Sequence, residues 1–267
     1  MRELLSIEKI KEIEIEILKH FKEFCEKEKI QFFLSNGTLL GAIKYGGFIP
    51  WDDDIDVLVP REDYERLIRC YKDSEKYCLY SIERNSNFYY PFAKLCDRKT
   101  IKEEMNIDNG TVLGVDIDIF PLDSWTDNYN DAKKQVKSLL KKIRKLNFAK
   151  LKFNRGKSLF RTCVKTILII HARGIGANRL IDRIQRTVKL NIKSSKYCGC
   201  VVWPIYGERE IIPKEVFDGI IEVEFEGEKF PAPIGYDIYL RSLYGNYVND
   251  PPIEKQKTHH IFTVYRL

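Results

Sequence analysis

Residues Gly46–Pro60 read GGFIPWDDDIDVLVP: Asp52, Asp53, Asp54 and Asp56 crowd ahead of and into the apolar run Ile55, Val57, Leu58, Val59. That run predicts a buried strand from Ile55 to Val59. Residues two apart in a strand share a face, so Asp54 and Asp56 project together, with Asp52 behind them if the extended backbone starts early. Neighbouring carboxylates repel, and their proton affinity rises unless a cation neutralises them. Oxygen ligands on a rigid strand suit Mg²⁺ or Mn²⁺. An acidic loop paired with surface lysines is the plainer alternative, but acids in alternation on a buried strand are uncommon on such surfaces.

An EF-hand loop starting at Asp52 fails, because its sixth position is Val57 where glycine is required. A glycosyltransferase Asp-x-Asp normally closes a hydrophobic strand, whereas this one opens it. Nucleotidyltransferase-like phosphoryl chemistry needs a glycine-rich helix start for phosphate, a strand bearing Asp-x-Asp and a later strand with a third acid. Gly37 and Thr38 supply the first, Asp54 and Asp56 the second, and LGVDIDIFPLD offers Asp116 or Asp118 as the third.

The surrounding pattern agrees with such a core. Ile10, Ile13, Ile17, Phe21 and Phe24 fall at helical spacing in the first segment, which carries no secretory signal. Gln31–Leu34 reads as a short strand. After Ser-Asn-Gly a helix runs from Thr38 to about Tyr45 and stops at two glycines, and its unpaired N–H groups attract phosphate. Pro60 starts another helix. Strands are expected at Tyr77–Ile82, Phe92–Cys96, Thr100–Glu104 and Val112–Phe120. From Asp127 to Leu190 the pattern is helical. A strand near Val201, a hairpin at FEGEKF and a helix over GYDIYLRSLYG follow. The expected class is α+β: a mixed sheet core over residues 1–126, a basic helical region over 127–195, and a C-terminal region over 196–267 that completes the same domain.

The chain has 267 residues, seven cysteines and a net charge of +6. The scattered cysteines fit neither a zinc site nor a disulfide framework; a reducing, cytoplasmic location suits them, with Cys198 and Cys200 as packing residues. Ala132 to Ile181 holds 15 Lys and Arg and no Asp or Glu. Val136, Leu139, Leu140, Ile143 and Leu146 give this block an apolar stripe, opposite a cationic face. The face is either simply solvated or drawn to anionic membrane headgroups; nucleic acid is disfavoured because no aromatics interleave with the lysines. Leu159–Ile170 is apolar but too short to span a bilayer.

Four stretches, GTLLGAIKYGGFIPWDDDIDVLVPREDYERL, PFAKLCDRKT, GVDIDIFPLD and FPAPIGYDIYLRSLYGNYVNDPP, together resemble the LicD family of phosphotransferases, to which fukutin is also similar. The resemblance runs from about Asn36 to His260. It implies a nucleotidyltransferase-like fold and transfer of a phospho-alcohol, phosphocholine foremost, from a CDP-activated donor to a sugar hydroxyl of a teichoic acid, capsule or lipopolysaccharide precursor, with CMP leaving. Asp54 and Asp56 match the family's metal pair and Asp118 its Ile-Asp-Ile-Phe-Pro acid. Asp116 stands where an apolar residue is expected. Lys44 replaces a common Arg; with Lys94 it is expected to balance donor phosphates, while Gly37 and Thr38 contact them. Asp118 either contacts metal or takes the acceptor's proton. Tyr45, Trp51, Tyr89, Tyr90 and Trp203 are candidate rings for choline. His259 and His260 are either phosphate contacts or structural, and Asp123 is a turn or helix-cap residue. CDP-glycerol or CDP-ribitol donors, nucleotidyl transfer to a small molecule, and a non-enzymatic glycan-binding module are the competing readings.

Overall fold

A computed structural model describes residues 2–153, 158–189, 195–256, 258 and 262–267. The acidic strand forms as β3 (Asp56–Pro60), an inner strand of a mixed sheet. β2 (Phe33–Leu34) flanks it antiparallel, and β7 (Asp116–Ser124) flanks it parallel. Beyond β7 lie β5 (Ala93–Asp97) and β4 (Tyr77–Tyr80), giving the order β2-β3-β7-β5-β4. At its far end β7 also pairs with β8 (Tyr197–Gly199), which pairs with β9 (Ile212–Pro213), so the C-terminal region extends the same sheet.

β7 starts at Asp116 rather than at Val112 and continues through Pro121. Pairing with β5 ends at Ile119, so the proline's missing N–H costs no bond on that side, while Pro121 stays in register with Val59 of β3. Before the strand, Gly114 packs against backbone: a Cβ there would lie 1.9 Å from the Asp97 carbonyl oxygen.

Helix α1 (Ile7–Glu28) is capped by Ser6 and lays Ile10, Ile13, Ile17, Leu18 and Phe21 into the core against β5 and β7. α2 (Asn36–Tyr45) ends at Gly46 in the left-handed region, which glycine enters without strain. α3 (Arg61–Cys70) follows Pro60. Asp123 is a β7 residue and neither turn nor cap: Arg61 at the start of α3 donates two hydrogen bonds of 2.6 Å to it, locking strand to helix.

Three helices make the basic region: α4 (Tyr129–Lys150), α5 (Leu159–Ile175) and α6 (Ala177–Lys189). Val136, Leu139, Ile143 and Leu146 are buried as their spacing predicts, but Leu140 is exposed, a turn off the seam. β10 (Ile220–Phe225) and β11 (Glu228–Pro233) form the expected hairpin, and α7 (Tyr236–Tyr244) the expected helix. A separate three-stranded sheet orders β1 (Glu3–Leu4), β12 (Phe262–Arg266) and β6 (Thr100–Glu104) with β12 central. No helix among the described residues is long and apolar enough to cross a membrane.

Candidate active site

Register assembles the site. Asp56 of β3 is paired with Asp118 of β7, and Asp118 with Lys94 of β5, so one row across three strands reads acid, acid, lysine. Asp116, two residues before Asp118, shares its face. The Lys94 ammonium donates to both Asp116 and Asp118, and Lys102 of β6 donates to Asp116 at 2.6 Å. Burial alone would raise the Asp116 proton affinity, but Lys102 and Lys94 hold it well below the usual carboxylate range. Asp118 is pushed by burial up to about 6, with Lys94 acting against the rise and Asp116 adding to it. Burial, then Asp54 and Asp118, raise Asp56 well above its ordinary value, and a hydrogen bond from Asn36 partly offsets them. Asp116 is thus a neutralised anchor, whereas Asp118 and Asp56 remain short of positive charge.

Asp54 precedes the strand and lines, with Ile55, Tyr90, Phe92, Lys94, Lys102, Glu104, Asp116, Asp118, Trp203 and Phe262, a cavity of about 380 Å³. Asp52 sits between Asp54, which its side chain contacts, and the start of α2. Its carboxylate lies against Gly37, where a Cβ would come 2.5 Å from Oδ2, and burial with the Asp54 charge lifts it to about 7. Asp53 is buried and accepts from Thr258 at 2.8 Å. The four acids therefore play different parts.

The start of α2 is built into this arrangement. Thr38 Oγ1 accepts the Asp56 N–H at 2.8 Å, so the threonine positions the acidic strand and keeps its own O–H as a donor. Ser35, the cap residue, is fully buried, and its hydroxyl has no hydrogen-bond partner among the described residues. An orphaned hydroxyl at a helix N-terminus is a ready donor to an anion. Asn36 sits at φ 46° and is held by Tyr239, whose hydroxyl donates to Asn36 Oδ1 at 2.9 Å.

Lys44 is not brought into this group: its ammonium is taken by Asp250, to which Tyr45 also donates. Trp51 stacks edge-on to Tyr45 with centroids 6.4 Å apart. Of the candidate rings, Tyr90 and Trp203 line the cavity; Tyr45, Trp51 and Tyr89 do not. His259 and His260 lie outside the described residues.

Sequence reasoning passed over Ser35, Lys102, Tyr239 and Lys150. Lys150 ends the basic helix α4 but is buried, its ammonium 3.1 Å from the Tyr90 ring centroid, and burial lowers it to about 7. Only the position of Ser35 before a helix was a readable signal.

Asp54, Asp56 and Asp118 carry oxygen ligands of the type a hard divalent cation takes, and the raised Asp56 marks uncompensated negative charge. Among the described residues no group of three or more Asp, Glu, His or Cys side chains is placed to hold a metal ion, so the carboxylates of the chain do not make a metal site by themselves.

Residues 29–155 match the LicD/FKTN/FKRP nucleotidyltransferase domain. The chain is 34% identical over 260 residues to the lipopolysaccharide cholinephosphotransferase LicD of Haemophilus influenzae, covering 95% of each. Shorter similarity, 40% over 48 residues and 18% of this chain, links it to uncharacterised proteins of Rickettsia prowazekii and Rickettsia typhi. With near-complete coverage of the Haemophilus relative and the catalytic-domain match inside it, the chain belongs to the LicD family.

Proposed function

We propose that this LicD-family phosphotransferase moves phosphocholine from CDP-choline to a sugar hydroxyl of a cell-surface glycan, with lipopolysaccharide favoured over teichoic acid or capsule by the named activity of its full-length relative. The observation that carries the reading is the row Asp56, Asp118, Lys94 set beside the start of α2. Asp54 and Asp56 would hold Mg²⁺ or Mn²⁺, which supplies charge neutralisation on the diphosphate when bound, and Asp118 is left to handle the proton.

The remaining work falls to the chain. The Ser35 hydroxyl and the N–H groups opening α2 bind donor phosphate oxygens. Lys102 neutralises Asp116, which leaves a Lys94 N–H free to follow the phosphoryl group. Asp118, with its proton affinity lifted to about 6, receives the acceptor hydroxyl's proton as that oxygen bonds to phosphorus and the bond to CMP breaks. Tyr90, Phe92, Trp203 and Phe262 keep water from the reacting atoms. Seven free cysteines accord with a cytoplasmic site of action.

The test is CMP release from CDP-choline with Mg²⁺ and a glycan acceptor. Asp54→Asn should lower turnover by about a hundredfold or more while the melting temperature holds or rises, because a repelling charge is gone. Unchanged turnover in that variant sinks the metal pair. Stronger thermal stabilisation by CDP-glycerol or CDP-ribitol than by CDP-choline would reassign the alcohol, and a nucleotide adduct in place of CMP would make the enzyme a nucleotidyltransferase.

A further inference from the structure

We infer that α5 is a membrane-docking helix, lying flat in the headgroup region of an anionic bilayer with its apolar ridge inserted. One side of α5 is tied down: Ile169 and Ala172 are buried, and the helix packs on α4 and α6. The opposite side is open. Phe160, Ile167 and Ile170 show most of their surface to solvent, and Val164 and Leu168, also exposed, extend the same ridge at helical spacing. Monomeric proteins seldom leave a continuous apolar ridge in water without a use for it.

Charge selects the occupant. Arg161 and Arg173 on α5, and Lys141, Arg144 and Lys145 on α4, are exposed within the block from Ala132 to Ile181 that contains 15 Lys and Arg and no acid. An exposed apolar ridge in a stretch this rich in exposed cations is what an interfacial helix presents to anionic lipid. A second copy of the chain fits worse, since two-fold pairing sets each cationic stretch against a like one. A nucleic acid would find one stacking face, Phe160, among four aliphatic side chains, too few for the interleaved stacking it uses. Running only from Leu159 to Ile175, α5 is shorter than the roughly 20 residues a bilayer span needs, so it lies on the membrane and does not cross it. Membrane docking does not depend on the transferase chemistry and survives its failure.

The test is sedimentation of the full chain with vesicles of phosphatidylcholine alone, or with a third of the lipid replaced by phosphatidylglycerol. Binding should require the anionic lipid and weaken as salt is raised. Phe160→Ser with Ile167→Ser should cut partitioning about tenfold, and Lys141→Glu with Lys145→Glu should do likewise. All four side chains are exposed, so circular dichroism and turnover on a water-soluble acceptor should not change. Equal binding to both vesicle types, or undiminished binding of the serine variant, overturns the proposal. A wild-type dimer that the serine variant disperses also overturns it, because the ridge would then be a subunit interface.

Discussion

Lys94→Met removes the cation that Asp116 and Asp118 share while keeping an unbranched apolar stem beside Tyr90 and Phe92. Breaking a buried ion pair typically costs about 3–5 kcal/mol, because a carboxylate is left buried without its partner. Asp116 keeps Lys102 at 2.6 Å. The lower figure therefore applies, about 3 kcal/mol. At about 2–4 °C per kcal/mol for a chain of this size, the melting temperature should fall by about 6–12 °C. The pH dependence has a definite sign. The folded Asp118 binds its proton more tightly than the unfolded chain does, so the stability it contributes is present below about pH 4 and is lost as pH rises through about 6. Without Lys94 that folded value climbs further, and the deficit of the variant should be small at pH 5 and largest near pH 8. Urea unfolding at both pH values, together with the Asp116→Asn and double variants, measures the coupling directly. A deficit under about 1 kcal/mol, or one that does not change with pH, would mean that Lys94 is solvated and that the row of charges is not a unit.

Two further outcomes are expected. Thr38→Val leaves the Asp56 N–H without its acceptor and should cost about 1–3 kcal/mol with a matching loss of turnover; Thr38→Ser should restore both, and if serine behaves like valine the hydroxyl is not what positions Asp56. Glu210 is buried and pushed by burial up to about 8, so its contribution to stability is present below about 4.5 and drains away through pH 8; Glu210→Gln should flatten the stability curve between those limits, by up to about 3 kcal/mol near pH 7, and parallel curves would refute the assignment.

The strand behind GGFIPWDDDIDVLVP was legible because period-two alternation and apolar flanks coincide within it, and the third acid because DIDIF repeats that pattern. Their meeting depended on register, which a single sequence leaves open: Asp56 faces Asp118 only because β3 and β7 run parallel at that offset. Lys94 was readable as a cation on a strand, while its role as a bridge between two acids was not. Lys44 was readable as a cation at a helix end, while its pairing with Asp250, remote in the chain, was not. Asn36, which the sequence set just ahead of the expected helix, holds a left-handed backbone, yet its use follows from Tyr239, equally remote in the chain. Local chemistry was visible; long-range partnership was not.

The small sheet of β1, β12 and β6 carries a consequence for biosynthesis. Lys102 and Glu104, on the wall of the cavity, belong to β6, whose partner β12 is translated long afterwards; the Phe262 ring then settles 4.9 Å from the Lys102 ammonium. On the ribosome, β6 therefore waits as a bare edge, a state prone to pairing with foreign strands. Until β12 docks, the cavity lacks its Phe262 side, so a nascent chain stalled before that residue would carry all its acids and still lack a finished cavity wall.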